Sequence, residues 1–94
     1  MNEAGRLGGN VANEGPDFDL CETMRFDPHG GIENLDEHLD KLGRSASENG
    51  FPFSRHDARN ELQAATFRRK EPALLRLLLS PKGSMAIELS NLND

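Results

Sequence analysis

From Phe18 onward the chain alternates: Phe18, Leu20, Met24 and Phe26 fall on one side, and Asp19, Cys21, Thr23 and Arg25 on the other. A period of two is what a strand with one buried face produces, because successive side chains point to opposite faces. Glu22 is the one break in the apolar side. Asp27-Pro28-His29-Gly30-Gly31 is turn chemistry, with proline presetting φ and glycine accepting positive φ, and predicts a hairpin returning through Ile32-Glu33. The period then lengthens to that of a helix, with Leu35, His38, Leu39, Leu42 and Ala46 recurring at i, i+3, i+4, i+7 and i+11. Asn34 with Glu37 three residues on reads as a capping box, and Gly50 suits the left-handed position just past the helix end. After the apolar connector Phe51-Pro52-Phe53, Ser54 with Asp57 reads as the N-cap of a second helix. That helix carries Ala58, Leu62, Ala65 and Thr66 inward and stops before Pro72.

The last third runs from Ala73 to Leu79, turns through Ser80-Pro81-Lys82-Gly83, and alternates again from Met85 to Leu89, as a second hairpin does. Strands and helices come in separate runs, β-β-α-α-β-β. This order predicts an α+β domain over residues 18–94, a small antiparallel sheet with two helices packed on one face. Residues 1–17 hold Gly5, Gly8, Gly9, Gly15 and Pro16 among polar side chains, with too little apolar surface to offset the entropy of ordering. A flexible lead, a linker, or the tail of a preceding domain is expected there.

Composition narrows the picture. Ninety-four residues fit one domain, and with five Phe and neither Trp nor Tyr the core is built from Leu, Ile, Met, Phe and Ala. A core of this size supplies about 3–5 kcal/mol, so docking onto a larger partner would help. A net charge of −5 argues against a nucleic-acid partner, since phosphate backbones call for clustered Lys and Arg, and Arg68-Arg69-Lys70 is too short a run. The single cysteine, Cys21, forms no internal disulfide, so a cytoplasmic location is expected. No charged start with an apolar stretch opens the chain, and its longest apolar run, Leu77 to Leu79, is far below a membrane span, so no membrane partner is expected.

Candidate chemistry is sparse. Glu22, Thr23 and Arg25 share the first strand and read either as the edge of a site or as a strand rim with a surface ion pair. His38, Lys41 and Arg44 lie at successive helical turns, so their cations suit an anion such as a phosphate or simply form a solvated face. Arg76 interrupts Leu74-Leu75-Arg76-Leu77-Leu78-Leu79. A charge there is costly on a central strand unless it is paired or faces a cleft, where a ligand carboxylate would meet it; the alternative is an edge strand facing water. His29, His38, His56 and Cys21 are too dispersed for a metal signature, and Gly8-Gly9 follows no strand, so no phosphate loop is present. A Cys21–His38 nucleophile pair is the remaining possibility. No full catalytic set emerges.

Taken together, Asp19-Leu20-Cys21-Glu22-Thr23-Met24-Arg25-Phe26, Leu35-Asp36-Glu37-His38-Leu39-Asp40-Lys41-Leu42, Ser45-Ala46, Gly50-Phe51-Pro52 and Ala73 to Leu77 resemble, in order and spacing, the start of the class IV aminotransferases. These are the fold-type IV pyridoxal-phosphate enzymes, and within them the string is most similar to 4-amino-4-deoxychorismate lyases, including those fused to aminodeoxychorismate synthase. The resemblance covers residues 18 to 89. It implies the smaller N-terminal domain of an enzyme that uses pyridoxal 5'-phosphate, usually as a homodimer with the cofactor between two domains. It places Lys41 where the family has the arginine that contacts the cofactor phosphate, with Arg44 as a second cation, and it places Arg76 near the substrate. It also implies a missing partner, the large domain that carries the cofactor-binding lysine and the glycine-rich phosphate loops. Lys41, Lys70 and Lys82 are the only lysines, and none sits in a sequence context that predicts a buried amine.

The expectation is therefore a small-domain fragment of a lyase of 4-aminobenzoate and folate synthesis, or of an aminotransferase, that binds no cofactor by itself and is inactive alone. The rival is a non-catalytic α+β module that dimerises or binds a partner through an uncovered sheet or helix face.

Overall fold

A computed structural model describes residues 17–92. The expected lead, residues 1–17, lies outside the described residues except for Asp17. The elements follow the predicted order: β1 (Leu20–Asp27), β2 (Gly31–Ile32), α1 (Leu35–Asn49), α2 (Arg55–Thr66), β3 (Ala73–Leu79) and β4 (Met85–Asn91). They form one antiparallel sheet, ordered β2-β1-β3-β4, with both helices on one face, an α+β fold.

The sheet is centred on β1 and β3, which pair along their length from Leu20 opposite Leu79 to Phe26 opposite Ala73. This pairing joins the two predicted hairpins across the intervening helices. Pleating then sorts the side chains. Leu20, Glu22, Met24 and Phe26 of β1 align with Leu79, Leu77, Leu75 and Ala73 of β3, and these with Met85, Ile87, Leu89 and Asn91 of β4. Met24, Phe26, Ala73, Leu75, Leu77 and Leu79 are buried with Leu39, Leu42 and Ala46 of α1 and Ala58 and Leu62 of α2.

The helix ends differ from the sequence expectation in one respect. Asn34 adopts φ 54°, ψ 37°, a left-handed conformation, and its side chain makes no capping bond. An N-cap oxygen reaches the first turn from extended backbone, so the predicted capping box does not form. Gly50, at φ 75°, ends α1 as expected, with Phe51 N–H donating 2.8 Å to the Ala46 carbonyl. Ser54 is extended, and its hydroxyl accepts from Asp57 N–H at 3.2 Å. Thr66 is buried because its hydroxyl donates to the Leu62 carbonyl at 3.0 Å.

Two contacts lock the connector between the helices. The Phe51 ring is buried and meets the Phe18 ring at 5.7 Å between centroids, although Phe18 lies before β1 and stays 48% exposed rather than joining the strand's apolar face. Gly83, at φ 95° in the β3–β4 turn, approaches Pro52 so closely that a Cβ there would lie 3.1 Å from the proline ring. The Gly-Phe-Pro segment thus seats the second hairpin.

Candidate functional site

Strand alternation decides what each β1 residue meets. Glu22 points toward the helices, in the one place where the apolar face is broken, and there it takes His38 of α1, with Nδ1 2.7 Å from Glu22 Oε1. Both side chains are largely buried, at 13% and 23% exposure. A carboxylate removed from water needs a partner of this kind, and the pair ties α1 to the sheet. Cys21, the next residue, points to the opposite face. The Cys21–His38 nucleophile pair is therefore ruled out: neighbouring strand residues cannot both face the helix.

One helical turn beyond His38 stands Lys41, exposed and without a carboxylate partner among the described residues. At about 100° per residue, Lys41 is displaced by roughly 60° from His38, and Arg44 by roughly another 60° in the same sense. Arg44 thereby reaches the groove between α1 and the chain leading into α2, where it lies with Leu39, Asp40, Gly43, Ser47, Phe53 and Arg55. The helix cations share an outer surface, but only Lys41 adjoins the Glu22–His38 clasp.

The uncovered face of the sheet presents a different row. Thr23, Arg76 and Glu88 stand side by side on β1, β3 and β4. Arg76 Nη1 donates 2.9 Å to Glu88 Oε1. The neighbouring Cys21 sulfur first, and Glu88 after it, hold the Arg76 guanidinium above the usual arginine range. β3 is a central strand, and its arginine is accommodated because this face is open and Glu88 answers the charge. Leu74 and Leu78 flank Arg76 on the same face and stay half-buried, while Leu75 and Leu77 are fully buried beneath. Arg25, one step along β1 on the open side, lies 3.9 Å from Glu33.

The sheet therefore separates Arg76, on its open face, from α1 with Lys41 and Arg44 on its covered face. Glu88 was not singled out in the sequence, because its role depends on the β3–β4 register. Glu22 and His38 each carried a signal, a carboxylate on an apolar face and a histidine on an apolar stripe. Their union was hidden by a separation of 16 residues. Among the described residues no three His, Cys, Asp or Glu side chains gather to hold a metal, and no helix is long and apolar enough to cross a membrane. All three lysines are exposed.

Residues 19–93 match the amino-transferase class IV family. The fold superposes with a TM-score of 0.74 on the crystal structure of a Mesorhizobium loti protein provisionally assigned as an amino-acid aminotransferase, at 31% identity over 80% of this chain and 36% of that one. The chain thus spans about a third of that relative's length. No curated protein matches it.

Proposed function

The chain belongs to the class IV aminotransferase family, and from that premise we propose that it is the small domain of a pyridoxal-phosphate enzyme, working only when joined to a large domain. One observation carries this reading: the family match runs from residue 19 to 93, yet every lysine within it is exposed. Covalent attachment of the cofactor calls for an amine whose pKa is lowered by burial or a neighbouring cation, and exposed lysines do not fit that task. The residues fit the other end of the cofactor better. Lys41, unpaired and set beside the clasp, supplies a positive charge for the phosphate, as a point charge and not as a fork. Arg44 is turned to its groove and adds long-range charge only.

When bound in the complete enzyme, the cofactor supplies an electron sink for bond breaking at the substrate's amino-bearing carbon. The rest is the work of this chain's residues. Glu22 and His38 fix the register of α1 against β1 and so the position of Lys41. Arg76, on the sheet face opposite Lys41, takes a substrate carboxylate by exchanging its bond to Glu88 for one to the ligand, and in a homodimer of the joined enzyme the two cations serve different sites. Leu74 and Leu78 around it form an apolar surface for the large domain to cover and dry.

The substrate we assign is aminodeoxychorismate, with release of pyruvate and 4-aminobenzoate in the cytoplasm, on the strength of Glu22-Thr23-Met24-Arg25, the His38 to Lys41 spacing and Gly50-Phe51-Pro52. Amino transfer is the second reading, favoured by the assignment of the Mesorhizobium loti structure. Co-expression with a class IV large domain tests both. Pyruvate release from aminodeoxychorismate supports the lyase, keto-acid formation from an amino acid supports transfer, and failure of the two halves to associate counts against the small-domain reading. Homodimers of the joined enzyme are expected in the same experiment, whereas the chain alone forming a stable dimer would favour a non-catalytic module.

A further inference from the structure

Away from the Glu22–His38 clasp, α1 and the segment leading into α2 enclose a shallow groove of about 410 Å³, lined by Leu39, Asp40, Gly43, Arg44, Ser47, Phe53 and Arg55. Three features of it go unexplained by folding. Arg44 has no acceptor among the described residues, although Asp40 lies in the same groove; Asp40 is taken by Arg55, which also bonds Asp36. The groove is left with one uncompensated positive charge. Gly43 sits inside α1, where glycine costs about 1 kcal/mol relative to alanine. A Cβ at Gly43 would lie 3.6 Å from the Phe53 ring, an ordinary contact, so Phe53 packing does not demand the glycine. What the glycine does is leave the Phe53 ring face and the groove floor open. The Ser47 side chain, lastly, adds a hydroxyl beside Arg44.

We propose that this groove binds a small organic carboxylate with a flat apolar body. The body lies over Gly43 against Phe53 and Leu39, and the carboxylate takes the Arg44 fork with the Ser47 hydroxyl as a further donor. The groove is open to solvent, so the ligand is held from one side, by Phe53, Leu39 and Arg44. The apolar floor distinguishes this ligand from inorganic phosphate, which finds no use for Phe53. The site is independent of the cofactor and substrate reading above.

The test is a titration of the isotope-labelled 94-residue chain with sodium benzoate, followed by backbone amide shifts in NMR spectra. Saturable shifts are expected at Gly43, Arg44, Ser47, Phe53 and Arg55, with a dissociation constant of roughly a millimolar, the affinity expected of a small ligand in an open groove. Arg44→Gln weakens binding about tenfold or more, in keeping with loss of a charge-assisted bond. Gly43→Leu, filling the floor, abolishes the shifts while the rest of the spectrum stays native. Benzyl alcohol and inorganic phosphate, each offering half of the ligand, bind at least about tenfold less tightly than benzoate. Shifts that fail to saturate, equal affinity for either half-ligand, or benzoate binding unchanged by Arg44→Gln would overturn the proposal.

Discussion

The two faces of the sheet are built from the same strands and alternate residue by residue, yet they follow opposite rules. On the covered face every β3 position is apolar and buried, Met24 and Phe26 of β1 join them, and the one carboxylate, Glu22, is held by a histidine from the helix above. On the open face the central position is an arginine paired with a glutamate, both more than half exposed, with leucines on either side only partly shielded. The first face is organised to fold. The second carries the charge and the residual apolar surface that a ligand or a further domain can use, and its ion pair contributes little to stability because water already satisfies both ends.

The largest expected contrast between the faces comes from leucine deletion. Leu75→Ala, under the helices, should cost about 2–5 kcal/mol, because a cavity is left among well-packed neighbours. Leu78→Ala, on the open face, should cost less than about 1.5 kcal/mol, since solvent fills the space. Urea unfolding of both variants measures the difference, and near-equal losses would mean that the open face is packed as tightly as the covered one.

Next in size is the clasp. Glu22→Ala should destabilise by about 1–3 kcal/mol by leaving His38 half-buried without an acceptor, and Glu22→Gln, which keeps an oxygen in place, should lose less. These alternatives separate a structural clasp from incidental contact. Both features behind it were readable in the chain, Glu22 as a break in β1 and His38 as a polar residue on an apolar stripe. The bond itself was not, because contacts between distant segments depend on how α1 lies over β1, which local periodicity does not determine.

Smaller and opposite in sign is Gly43→Ala. It should raise stability by up to about 1 kcal/mol through helix propensity, since the added methyl meets only the Phe53 ring at contact distance. A loss would mean that the α1 surface cannot yield there.

The smallest effect belongs to the open face. Arg76→Gln should leave the urea midpoint close to that of the parent chain. The Arg76 guanidinium is raised by Cys21 and then Glu88, and a cation whose folded pKa is raised stabilises fully below its unfolded pKa, losing that contribution only as pH rises through the folded value. Both values are strongly alkaline. The Arg76→Gln difference should therefore be the same at about pH 6 and about pH 7, read as paired urea midpoints.

Element order, the α2 cap, the Gly50 stop and both hairpins were legible because each is set by residues close in sequence. The β1–β3 pairing, the Arg76–Glu88 row and the groove beside Arg44 were not, since each is made by segments that meet only in the fold. Asn34 shows the limit from the other side. Its residue type and its spacing to Glu37 spelled a cap, but a left-handed backbone turned the side chain away.

The central claim is that this chain supplies phosphate-binding and carboxylate-binding residues but no attachment point for the cofactor. It is tested most directly by incubating the chain with pyridoxal 5'-phosphate, reducing with borohydride, and mapping modified peptides by mass spectrometry. The prediction is scattered, substoichiometric labelling of Lys41, Lys70 and Lys82. One cofactor per chain fixed on a single lysine would contradict it.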